Sequence, residues 1–137
     1  MTTFYDRSFK MTKINMVIDT MTASELQTYF INIPGGSSHL QLTWDNLKSM
    51  TIAELSTGFF DMPTTITSLI LAGRYRNIAG SDLTTLIAST PKNVTYLDLS
   101  QNKLGNKTTA KLVQLFKALS SNIIALNLSY NNLYKKK

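Results

Sequence analysis

The sequence contains no cysteine and one histidine, His39. The first absence excludes disulfides and thiolate metal sites, and it is compatible with a reducing compartment. The second leaves any Ser–His nucleophile pair to depend on His39 alone. No run of residues approaches the roughly 18 unbroken apolar positions that a membrane-spanning helix needs. The opening stretch, "MTTFYDRSFKMTKINM", scatters charges where a secretory signal would place an apolar segment. The eight acids stand apart, in no metal-ligand spacing, so neither a metal nor a cofactor is called for. "PGGSS" at 34–38 lacks the lysine and the length of a phosphate loop and reads as a turn.

Acidic residues are also missing where they would balance the charge. The net charge is +6, and from Lys92 onward eight lysines face a single acid, Asp98. The preceding 91 residues are close to neutral. A basic final third that includes Lys103, Lys107, Lys111 and the terminal lysines Lys135–Lys137 reads first as a solvated end. An electrostatic binder of nucleic acid or anionic lipid is the alternative it leaves open.

What the chain does contain is a repeat. "VTYLDLSQNKL" at 94–104 returns as "IIALNLSYNNL" at 123–133, so Leu97, Leu99, Asn102 and Leu104 answer to Leu126, Leu128, Asn131 and Leu133. Stepping back 28 or 29 residues reaches Leu69 with Leu71, then Leu40 with Leu42; a further step of 29 reaches Met11, where the pattern is weak. Leu26, Leu55, Leu83 and Leu112 share a second phase. All three prolines, Pro34, Pro63 and Pro91, share a third. One unit buries too little to stand alone, so stacked units with a shared core are implied.

Each unit divides into two halves. Leucines alternate with Tyr96, Asp98 and Ser100, the period of a strand with one buried face. Leu112, Leu115, Phe116 and Leu119 then recur at helical spacing. Ser81 and Thr108 stand where helix N-caps belong. Asn102 and Asn131 fall where the chain leaves the strand, and an amide there can both donate and accept within a dry bend. Asp45 takes that place in the second unit, and Arg74 in the third. A bulge in the third unit, with Ile78 standing in for the missing leucine, would push Arg74, Tyr75 and Arg76 outward.

The motif L-x-x-L-x-L-x-x-N-x-L resembles the leucine-rich repeat over roughly residues 37–133. Its 28–29-residue length is similar to the ribonuclease-inhibitor type, and "LDLSQNKLGNKTTAKLVQLFKALSSN" is similar to repeats in leucine-rich-repeat effectors of Legionella-like intracellular bacteria. The resemblance implies an α/β solenoid, a short horseshoe with parallel strands on the concave face and helices on the convex face. It also implies a binding module rather than an enzyme, acting in a cytoplasm or in the host cytosol into which a bacterium delivers it. The organisation expected is one domain over 1–137: a divergent cap at 1–36, repeats starting near 37, 66 and 94, and a truncated repeat at 123–137 whose strand is an open edge.

Strand phase places His39, Gln41, Thr43, Ile70, Tyr96, Asp98 and Asn127 on the sheet face away from the core. Trp44, Gln101 and Tyr130 share a register at the strand ends, beside Arg74, Tyr75 and Arg76. Aromatic residues with arginine are the composition of interface hot spots. Five strands about 4.8 Å apart give a sheet roughly 20 Å wide, smaller than the roughly 800 Å² per partner of a standard interface. The strand-end loops are therefore expected to join the sheet in holding the partner, another protein with an acidic rim. A host protein or a companion bacterial effector fits that description. By resemblance to ribonuclease-inhibitor repeats, the outcome for an enzyme partner would be inhibition.

Overall fold

The computed structural model describes residues 13–17, 21–43, 50–72 and 80–135. Among these residues five strands form one parallel sheet in chain order: β1 (Lys13–Val17), β2 (His39–Thr43), β3 (Ser68–Ile70), β4 (Tyr96–Asp98) and β5 (Ala125–Asn127). Among them, too, four α-helices lie between the strands: α1 (Ala23–Ile31), α2 (Ile52–Gly58), α3 (Gly80–Ala88) and α4 (Thr109–Lys117). Each helix packs on the next, so sheet and helices form two layers of one solenoid.

The register follows the leucine phase. Leu40 pairs with Leu69, Leu69 with Leu97, and Leu97 with Leu126. The first three of these leucines are fully buried, as are Leu42, Leu71 and Leu99 one turn of the pleat further on. Leu26, Leu55, Leu83 and Leu112 enter the same core from the helices. At the first strand the sequence phase needs correcting. Ile14, not Met11, pairs with Leu40, so the step there is 26 residues. The first unit has a shorter connection, and its strand carries no leucine pair.

Local signals explain where the helices begin. Thr22 and Thr51 each accept from the backbone N–H three residues on, while Glu25 and Glu54 accept from the backbone N–H of those threonines. These are two capping boxes, spelled "TASE" and "TIAE". The bonds from Thr22, backbone first and side chain second, hold the Glu25 carboxyl below its usual pKa. Thr108 caps α4 by accepting from Lys111 N at 3.2 Å. Ser81 lies inside α3, which starts one residue earlier at Gly80.

The helices end in a repeated turn. The carbonyls of Pro34, Pro63 and Pro91 accept from Ser37, Ile66 and Val94, and Ser120 O accepts from Ile123 at the fourth phase. Proline suits this position because it stops the helix while its carbonyl remains free to accept.

Asparagine side chains join successive units. Asn102 Nδ2 donates to Leu71 O at 2.8 Å and to Leu99 O at 3.0 Å. Asn131 repeats this one unit on, donating to Leu99 O and Leu128 O at 2.9 Å each. Asn131 Oδ1 accepts from Asn102 N at 2.7 Å and from Leu104 N at 3.3 Å. Both amides are buried, so these bonds satisfy backbone groups that water does not reach. Asp45 and Arg74, at the same phase, lie outside the described residues, as does Ile78.

Gly105 lets the last two units approach closely. Its N–H donates to Asn131 O at 2.8 Å, and an added Cβ would meet Asn131 O at 2.7 Å and the neighbouring Asn132 carbonyl as well. That position needs a small residue because of this neighbouring backbone.

Asn102→Leu is expected to destabilise the fold by about 1–3 kcal/mol, since it takes the amide donor from the Leu71 carbonyl and leaves Leu99 O with Asn131 alone. Urea denaturation would measure the loss, and a change under ~0.5 kcal/mol would contradict this account of the amide. Gly105→Ala should cost about 1–3 kcal/mol through overpacking. It should also speed amide exchange in β5 more than in β2.

Candidate protein-binding surface

The alternation that buries the leucines turns the intervening side chains to the other face of the sheet. Across β2 to β5 they form two aligned rows: His39, Ser68, Tyr96 and Ala125, then Gln41, Ile70, Asp98 and Asn127. His39, Gln41, Ile70, Tyr96, Asp98 and Asn127 are all half-buried. Ser68 is more enclosed, with larger neighbours on both sides. Thr43 ends β2, and its side chain is not among those described.

Some of these groups also serve the fold. Asp98 Oδ1 accepts from Ser100 N at 2.9 Å, and Asn127 Oδ1 accepts from Ser129 N at 3.0 Å and from Ser129 Oγ at 2.7 Å. Both residues brace the bend at the end of their strand, which restricts what their side chains can offer a partner. Ser38 Oγ lies 2.8 Å from His39 Nδ1, which fixes the ring's orientation. Among the described residues no three metal-capable side chains come together, and no helix is long and apolar enough to cross a membrane.

At the strand ends, Gln101 and Tyr130 are both exposed, Tyr130 to 80%. Trp44 in the same register, and Arg74, Tyr75 and Arg76 beside it, lie outside the described residues. Sequence reasoning missed the backbone at this point. Gln101, Lys103, Tyr130 and Asn132 all have φ between 55° and 60°, and they are the non-glycine left-handed residues among those described. All four line one open depression of about 440 Å³ at the same end of β4 and β5. The signal available was the shared frame of "SQNKL" and "SYNNL", in which serine, asparagine and leucine recur 29 residues apart while the residues flanking the asparagine differ. The Asn102 and Asn131 bonds hold the chain in this turn, and the flanking residues accept an unfavourable φ as the consequence.

The surface is basic on the side of α4. Lys103, Lys111 and Lys117 are exposed. Burial, and the charge of Lys111 after it, lower the Lys107 pKa.

No family model and no curated protein matches this chain. Among solved structures it is similar to the crystal structure of the leucine-rich repeat-containing protein LegL7 from Legionella pneumophila, with 30% identity and a TM-score of 0.77. The match covers 88% of this chain and 39% of that one, so the chain spans well under half of the relative's length.

The strained turn can be checked by substitution. Gln101→Gly should be neutral or stabilising, while Gln101→Val should cost about 1–2 kcal/mol, because a β-branched side chain is the least tolerant of positive φ. Equal stabilities for the two variants in urea would show that the left-handed backbone does not persist in solution.

Proposed function

Taking as premise that the chain is a leucine-rich-repeat protein, we propose that it binds another protein across the sheet face and the strand-end turns of β4 and β5. The observation that carries this reading is the pair of aligned rows. They set Tyr96 and Ile70 among His39, Gln41, Asp98 and Asn127, with exposed Tyr130 at the margin. That mixture of aromatic, aliphatic and polar groups on a rigid platform suits a protein surface better than a small ligand. Parallel strands keep the rows in fixed spacing, so a partner meets side chains whose positions are largely set before contact.

The partner is acidic at its rim. After Asp98 the chain carries lysines and no acid; Lys103 lines the strand-end depression, and Lys111 and Lys117 stand in solvent on α4. Such charges steer association and fix orientation more than they add affinity. The similarity to a Legionella protein supports a bacterial effector acting in a host cell, with a host protein or a companion effector as partner. Where that partner is an enzyme, a surface of this breadth would block its active site and inhibit it. Trp44, Arg74, Tyr75 and Arg76 belong to the same proposed surface by their sequence register.

Affinity capture from host-cell and bacterial lysates tests the proposal, with the wild-type chain and an Ile70→Ala, Tyr96→Ala, Tyr130→Ala variant as paired baits. The protein retained by wild type should be lost by at least ten-fold on the variant, with an unchanged melting temperature. Retention by the variant would remove the sheet face from the account. Capture that instead vanishes with moderate salt, and with deletion of Lys135–Lys137, would favour the electrostatic reading.

A further inference from the structure

Among the described residues nothing pairs with the far edge of β5. The bonds that join the fourth unit to the fifth show which groups that edge offers. Leu99 N donates to Asn127 O and Gln101 N to Ser129 O, while Thr95 O accepts from Ile124 N and Ala125 N. One repeat on, the same places fall to Leu128 N, Tyr130 N and Ile124 O. Such a row of donors and acceptors pairs readily with another strand. The apolar side of the edge is incomplete as well. Phe116, Leu126 and Leu128 are half-buried, although Ile87, Leu97 and Leu99 at the same phases one unit earlier are enclosed.

A further repeat, stacked as the fifth unit stacks on the fourth, does not fit there. Lys103 and Asn132 are both left-handed, and each leads into a 3₁₀ turn, Leu104–Asn106 and Leu133–Lys135, so the two turns correspond. In the first, Gly105 leaves room for the Asn131 and Asn132 carbonyls of the next unit, which a Cβ would meet. The second turn has Tyr134 at that place. Units two and three have Lys48 and Asn77 at this phase, but with Asp45 and Arg74 in place of the ladder asparagine. The fourth unit alone shares the turn sequence of the fifth. A single added strand escapes the conflict, because it pairs with 124–130 and brings no turn over Tyr134.

Charge narrows the choice of strand. After Asp98 the chain carries no acid, and Lys103 stands exposed beside Tyr130 in the depression where β5 ends. A second copy of this chain would bring like charge against like. A strand with an acidic end brings the opposite charge.

We infer that the far edge of β5 accepts an extended segment of a partner polypeptide as an added strand, apolar on alternate residues and acidic at its end. Main-chain bonds to Leu128 N, Tyr130 N and Ile124 O hold it in place. Its apolar side chains cover Leu126 and Leu128, and its acidic end lies at Lys103. The edge is separate from the rows that hold Tyr96 and Ile70, so either assignment can fail without the other.

The test is a titration of the full chain, followed by amide NMR, with the N-acetylated peptide amide Asp-Val-Thr-Val-Thr-Val-Asp. Acids at both of its ends serve either strand direction. Saturable shifts at 123–134 are expected at millimolar peptide, with slowed amide exchange at Leu128 and Tyr130. An analogue N-methylated at every internal residue should not bind, because it cannot pair along its main chain. Replacing both aspartates by lysine should weaken binding about ten-fold at low salt, and Lys103→Glu should remove that preference. Absence of saturable shifts at 123–134 would overturn the assignment. So would undiminished binding of the N-methylated analogue, or equal binding of the acidic and basic peptides. Dimers in sedimentation that shift the same amides without peptide would give the edge to a second copy and overturn it too.

Discussion

The carboxamide of Asn102 makes bonds that no other polar group in its unit could replace. It donates to carbonyls of its own unit and of the unit before, while its backbone N–H is received by Asn131 of the unit after. The chain must leave each strand by a sharp bend, and that bend points backbone groups into a space with no water. An amide is the side chain with donors and an acceptor close enough together to serve both sides. The parallel register of β3, β4 and β5, and the depth to which Leu97, Leu99 and Leu104 are buried, depend on this stitching.

The same constraint shapes the outer surface. Tying the asparagine inward forces the residues on either side of it into left-handed backbone, so Gln101, Lys103, Tyr130 and Asn132 surround a common depression. Backbone strain and surface shape thus have one origin. The sheet face is equally a by-product of the core: once the leucines are committed to one side, the order of Tyr96, Asp98, Ile70 and Asn127 on the other is settled. Binding of another protein in this architecture needs no dedicated element, only a choice of residues at positions the fold leaves free.

Departures from the repeat separate structural positions from positions free to vary. Thr90 breaks an aliphatic phase inside the solenoid, and its hydroxyl finds no partner. Unit five follows the consensus well, yet Leu126, Leu128 and Leu133 are only half-buried where Leu97, Leu99 and Leu104 are enclosed. Burial in a solenoid comes from neighbouring units on both sides. A residue's phase therefore predicts which way it points better than how deeply it lies.

Periodicity alone determined the strand-and-helix unit, the alignment of Leu40, Leu69, Leu97 and Leu126, the core role of Leu26, Leu55, Leu83 and Leu112, and the residues of the outer sheet face. Each of these depends on local geometry that recurs at a fixed interval, so a single chain reports it directly. Only the tertiary structure decided that the first strand aligns through Ile14, that Gln101 and Tyr130 lie in left-handed turns, that Gly105 sits under the Asn131 and Asn132 carbonyls, and that the Thr90 hydroxyl is buried without a partner. Those features arise between units, where close approach and mismatched side-chain size decide the outcome. A repeat pattern records what successive units share, and spaces and strains between them come from where they differ.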